Sequence, residues 1–143
     1  MEPMETPVRR FMEKYAQWTA RGEMEAVAVF FADDFMAAGP QGAQSVKASE
    51  FALALPKRKE LFDRMGCTKT ELIGLEEQAL DARYTLARTR WRLTFEPAGR
   101  RKEEVLVDSV YLVDCGVNPF RFVLYLANQD IFAILKERGI LRT

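Results

Sequence analysis

The chain contains no histidine. That removes the commonest general base near neutral pH and the commonest transition-metal ligand. Ser–His and Cys–His nucleophile pairs are excluded with it. Any catalysis must draw on carboxylates, Tyr, Lys or Arg. Cysteine is scarce as well: Cys67 and Cys115 stand alone, too few and too far apart for a disulfide framework or a zinc site. Two buried thiols in a reduced, cytoplasmic setting are the expectation, with no metal and no cofactor. Net charge is also missing, with 21 Lys plus Arg against 21 Asp plus Glu. Binding to nucleic acid through bulk charge is therefore not expected. No run of about 18 apolar residues is present to span a bilayer. The start "MEPMETPVRRFMEKY" places acids before its first basic residues and has no apolar stretch, so it does not read as a signal peptide.

What remains is the composition of one soluble globular domain, spanning 1–143, with 48% hydrophobic and 29% charged residues. Thr6 followed by Pro7 reads as a helix start. Val8, Phe11, Met12, Tyr15, Trp18 and Thr19 then recur at helical spacing, and Gly22 ends the run. Met24, Val27, Ala28 and Phe31 form a second, shorter stripe. A short strand is expected from Phe35 to Pro40, turning at Gly39-Pro40-Gln41-Gly42. "ASEFALALPKRKELFDRMG" reads as a third helix, with Ser49 as its cap, Gly66 as its stop and a kink or division at Pro56. After Gly66 the pattern changes to four strand-like runs with short turn-like connections, which implies antiparallel pairing. Asn128 is placed as the cap of a last helix, with Asp130 in its first turn and Gly139 at its end. Helices followed by a meander predict an α+β domain with helices on one face of a sheet.

Strand alternation assigns the faces. In "ARTRWRLTF", Ala87, Thr89, Trp91, Leu93 and Phe95 point toward the helices, and Arg88, Arg90 and Arg92 point away. In the last strand Phe120, Phe122, Leu124 and Leu126 are placed inside, with Arg121, Val123 and Tyr125 outside. In "VLVDSVYLV", a turn centred between Gly99 and Arg100 sets position 108 opposite Trp91 and puts Asp108 on the inner face. A slip of one residue reverses that assignment.

The segments "VRRFMEKYAQWTARGEMEAVAVFFADDFMAAGPQG" and "VDSVYLV…FRFVLYLANQDIFAILKERGI" resemble the nuclear transport factor 2-like superfamily, which includes ketosteroid isomerases and polyketide cyclases. The resemblance implies a cone-shaped, cystatin-like fold: N-terminal helices packed on a curved antiparallel sheet, with a short C-terminal helix. Ketosteroid isomerases combine a Tyr on the first helix, an inward acid on a late strand and a carboxylate base after the first strand. By resemblance Tyr15 matches the Tyr and Asp108 the inward acid. The base position holds Gly39, followed by Pro40, so ordinary steroid isomerisation is not expected.

Tyr15 and Asp108 are accordingly the candidate catalytic pair. An acid in apolar surroundings has a raised pKa and donates a hydrogen bond to a ligand oxygen; alternatively, Asp108 is a structural acid satisfied by an Arg or by Tyr15. Trp18, Phe31, Phe62, Trp91, Phe95, Phe122 and Leu124 are candidate lining residues of an apolar pocket, or else a filled core. Asp33 and Asp34 read as the exposed end of a helix rather than a metal cage. The arginine stripe reads as paired with acids such as Glu71 or used between subunits. A homodimer through the outer sheet face, burying Tyr111, Val113, Val123 and Tyr125, is the expected assembly. Three functions stay open: a protein binding a small apolar or carbonyl-bearing ligand, an isomerase or lyase of the polyketide cyclase or dehydratase kind using Asp108 with Tyr15, and an interaction module acting through the sheet.

Overall fold

A computed structural model describes residues 5–141. The acidic start, Met1 to Met4, lies outside the described residues. Helix α1 (Pro7–Arg21) begins as its sequence dictates: Thr6 Oγ1 accepts the Arg9 amide at 3.0 Å, Pro7 fills the first turn, and Gly22 takes φ +72° at the C-cap. Its buried face is Val8, Met12 and Tyr15. A single turn, α2 (Met24–Ala28), leads into β1 (Phe31–Gly39). Asp33 and Asp34 therefore sit exposed within a strand, not at a helix end. Among the described residues no group of three potential metal ligands forms.

Gly39 pairs with Gly42 across the Pro40-Gln41 turn to start β2 (Gly42–Lys47), a polar edge strand that sequence pattern does not reveal. Helix α3 (Ala48–Arg64) runs through Pro56 as one helix, so of the kink or division expected there the division does not occur. Its N-cap is Lys47 without a side-chain bond, so Ser49 does not cap it. The meander then follows as β3 (Cys67–Ala79), β4 (Tyr84–Phe95), β5 (Glu103–Asp114) and β6 (Arg121–Ala127). Helix α4 (Ile131–Glu137) is capped by Asp130, whose Oδ1 accepts the Ala133 amide at 3.1 Å, two residues beyond the expected Asn128. No helix among the described residues is long and apolar enough to cross a membrane.

The six strands form one sheet in the order β2-β1-β6-β5-β4-β3, antiparallel except where β1 runs parallel to β6. Helix α1 packs across β3, and α3 packs against β1, β2 and β3. Bulges interrupt the pairing of β3 with β4 and of β5 with β6. Each adds local twist and curvature, which lets one sheet wrap the helices. The interior between them is aromatic: Phe95 and Phe122 are completely buried, and Phe31, Trp91 and Tyr111 nearly so.

Two register details reverse expectations. Phe95 pairs with Glu103, so the β4–β5 turn centres on Gly99, at φ +72°, not between Gly99 and Arg100. Trp91 consequently faces Val107, and Asp108 pairs with Arg90 on the outer face. Ser109, Tyr111 and Val113 become the inner set. In β6, Val113 pairs with Phe122 but Leu112 pairs with Leu124, so a bulge at Val123 switches the alternation. Phe122 stays inside, Tyr125 turns inward opposite Tyr111, and Leu124 and Leu126 turn outward.

Candidate functional site

Asp108 does not reach Tyr15. Its carboxylate receives the Arg90 guanidinium at 2.8 and 3.2 Å and the Gln129 side-chain amide at 3.1 Å. The Gln129 carbonyl oxygen in turn accepts the Asp108 backbone amide at 2.7 Å. Arg90 beside it, aided by Gln129, holds the carboxyl below its ordinary range despite partial desolvation. It is an ionised acceptor that clamps the end of β6 to β5, not a neutral donor in an apolar interior. The inner-face acid is thus a misplacement caused by the one-residue shift in the turn. Arg92 likewise meets Glu71 at 3.4 Å and Arg88 meets Gln78 at 3.1 Å, so the outer stripe is matched by partners as its pattern suggests.

The inner face carries hydroxyls instead. Tyr15, projecting from α1, has its hydroxyl 3.4 Å from that of Tyr111 on β5. The Tyr111 ring lies 5.5 Å from Tyr15 and 5.2 Å from Tyr125. Below them Trp91 Nε1 donates to Thr89 Oγ1 at 2.9 Å, and Thr89 Oγ1 lies 2.7 Å from Ser109 Oγ and 2.8 Å from the Ser109 carbonyl oxygen. Thr19 Oγ1, one turn along α1 from Tyr15, is buried without a well-formed hydrogen bond. Burial pushes the Tyr15, Tyr111 and Tyr125 hydroxyls above their usual pKa, all three staying protonated at neutral pH. Among the described residues no carboxylate joins the cluster, and Gly39 supplies none from the first strand. The arrangement can donate and accept hydrogen bonds; it has no group able to abstract a proton from carbon near pH 7.

The other expected lining residues divide. Phe31, Trp91 and Phe122 surround Tyr15 in edge-on contact, with ring centroids 6.1, 6.1 and 4.9 Å away. Phe95 and Phe62 pack together further along the interior, 6.1 Å apart. Trp18 is half-buried at the rim under Arg21, and Leu124 is on the other face of the sheet. Two surface concavities of about 570 and 400 Å³ both lie outside this aromatic interior. The larger follows the outer sheet face past Glu76, Arg88, Arg90, Asp108 and Asn128.

Tyr111, Tyr125 and Ser109 are the site residues that strand pattern set on the wrong face, whereas Thr89 belongs to the inner set already assigned by alternation. One signal pointed to them: Arg90 and Asp108, as opposite charges on neighbouring strands, favour each other directly across the ladder. That pairing sets the register and turns Ser109 and Tyr111 inward.

No protein-family profile and no curated protein matches the chain in sequence. Solved structures do match in fold. A nuclear transport factor 2-like protein with a cystatin-like fold from Novosphingobium aromaticivorans superposes with a TM-score of 0.70 at 13% identity, covering 96% of this chain and 88% of that one. A ketosteroid isomerase-like protein from Erwinia carotovora gives 0.62 at 16% identity, with 83% and 90% covered. The beta subunit of a benzoate dioxygenase from Burkholderia mallei gives 0.67 at 10% identity, with 94% and 96% covered. The chain has the cystatin-like fold these proteins share. Neighbours so different in activity leave its chemistry to the site itself.

Proposed function

We propose that the protein binds a small, largely apolar molecule through one carbonyl or hydroxyl oxygen, held between the hydroxyls of Tyr15 and Tyr111. The observation that carries this reading is the 3.4 Å separation of those two hydroxyls inside an aromatic interior. Hydroxyl pairs ordinarily approach to about 2.7–2.8 Å, so this contact is weak. Buried donors left poorly satisfied cost stability, and a ligand oxygen entering between them repairs the deficit. Thr19 Oγ1 offers a further unpaired hydroxyl alongside Tyr15. Binding, rather than isomerisation or dehydration, is favoured because Asp108 is committed to Arg90 outside the interior.

Calorimetric titration with para-propylphenol and with butyrophenone tests the reading. Each neutral hydrogen bond contributes about 0.5–1.5 kcal/mol, so Tyr15→Phe and Tyr111→Phe should each weaken binding roughly two- to tenfold. Affinities equal to wild type in both variants would sink the idea.

A second proposal concerns assembly. The outer face presents Leu106 and Ile73, 48% and 42% exposed, with Val110, Leu112, Leu124 and Leu126 beside charge-matched pairs. A face carrying both apolar and balanced charged residues is self-complementary under a two-fold axis, and we infer a homodimer through it. Residues expected there, Tyr111, Val113 and Tyr125, face inward instead. Light scattering should report a dimer for wild type and a monomer for Leu106→Glu/Leu124→Glu; a wild-type monomer contradicts the proposal.

A further inference from the structure

We propose that the hollow over Gly74 on the outer sheet face receives Leu106 of a second copy of this chain, fixing how two protomers meet. The inference rests on the homodimer reading above and adds the contact that sets its register. Gly74 pairs directly with Arg90, which reaches outward to Asp108, so position 74 opens on the outer face. It follows a bulge in β3, yet its φ is not in the left-handed region, so the backbone there does not require glycine. An added Cβ would meet only the Arg90 Cβ, at 3.4 Å, so packing within the chain does not require it either. A strand glycine that its own chain does not need marks a place where another molecule comes close.

The missing side chain opens the larger surface concavity, about 570 Å³, whose walls include Glu76, Arg88, Asp108 and Val110. Leu106 is the matching projection: it pairs with Arg92 on the same face and is 48% exposed. Gly74 and Leu106 are two strands and two residues apart, a separation of about 12 Å. A two-fold axis lying in the interface midway between them sets each leucine over the other protomer's hollow, so one contact forms twice. The charges favour the chain's own copy. Glu76 and Asp108 balance Arg88 and Arg90 around the hollow, so no field of one sign repels an identical face or recruits a charged partner. Arg90 and Asp108 keep each other's hydrogen bonds as water leaves, and the alkyl stems of Arg88 and Arg90 offer the leucine apolar contact.

Sedimentation equilibrium of wild type, Gly74→Leu, Leu106→Ala and the double variant tests the contact. Each single substitution should raise the dimer dissociation constant about tenfold or more, one by filling the hollow and the other by removing the projection. Thermal melts confirm that both exposed substitutions leave the fold intact. In the double variant the knob and the hollow have changed places, so dimerisation should recover part of the loss. Within one chain the two positions are too far apart to couple, so their non-additivity reports contact between protomers. If both single variants dimerise like wild type while Leu106→Glu/Leu124→Glu is a monomer, the hollow is overturned and the dimer through this face survives. Strictly additive losses also overturn the contact. A wild-type monomer removes both readings together.

Discussion

Replacing Thr89 by Val tests the inner-face network at its most buried point. Thr89 is 4% exposed and Ser109 5%, so neither hydroxyl has ready access to replacement water. The isosteric change removes the acceptor of Trp91 Nε1 and the donor to Ser109. A buried donor left without a partner costs about 1–3 kcal/mol, and the lost Thr89–Ser109 bond about 1 more. The new methyl recovers roughly 0.8 kcal/mol through apolar burial. The net expectation is a loss of about 2 kcal/mol, or some 6–8 °C in Tm for a domain of this size. Ser109→Ala should cost less, about 1 kcal/mol, because the Thr89 proton keeps the Ser109 carbonyl oxygen as acceptor. Urea unfolding followed by far-UV circular dichroism measures all three proteins, including the double variant. Thr89 and Ser109 are in contact, so their effects should couple by at least about 0.5 kcal/mol. If the β4–β5 turn instead set Asp108 opposite Trp91, Ser109 would face outward. Ser109→Ala would then be neutral and the coupling zero, which would refute the register.

The remaining predictions concern one ion pair and one turn. Asp114 is nearly buried, receives two bonds from Arg83, at 2.8 and 3.0 Å, and accepts the Gly116 amide at 2.9 Å. Arg83 holds its pKa below the ordinary carboxylate value, so the pair's stabilisation is present above about pH 4 and fades as pH falls through the lower folded value. Asp114→Asn should therefore cost about 1–2 kcal/mol at pH 7, discounted for the exposed arginine, and the deficit should shrink in urea melts at pH 3. A deficit that persists unchanged at pH 3 would show that the charge is not its source. Gly66 adopts φ +86°, and a Cβ there would stand 2.8 Å from the Glu96 carbonyl oxygen. Left-handed strain and backbone displacement together should make Gly66→Ala destabilising by about 2–3 kcal/mol, and a melt within 1 °C of wild type would contradict that packing.

Much of this architecture was written in local signals. Thr6-Pro7 and Gly22 mark the ends of α1 because capping and left-handed backbone are properties of single residues. The spacing of Val8, Met12 and Tyr15 marks its buried face for the same reason. What escaped was settled by pairing between strands. Gly42–Lys47 is polar and lies at a sheet edge, where no buried face imposes alternation. Asp108 was misplaced because both alternate sets of β5 are comparably apolar, so only the partner strand decides between them. Leu124 and Tyr125 exchanged faces at the Val123 bulge, which adds a residue without any marker in composition. The hydroxyl cluster stayed hidden for that reason: it exists only once two strand registers are known. Tyr15, placed by helical periodicity, and Thr89, placed inward by strand alternation, were the members visible beforehand.

The central claim is that buried tyrosine hydroxyls, and not Asp108, hold the ligand's oxygen. Calorimetric titration of para-propylphenol into wild type, Tyr111→Phe and Asp108→Asn tests it most directly. Tyr111→Phe should bind roughly two- to tenfold more weakly, and Asp108→Asn should match wild type. Unchanged binding by Tyr111→Phe together with weakened binding by Asp108→Asn would contradict the account.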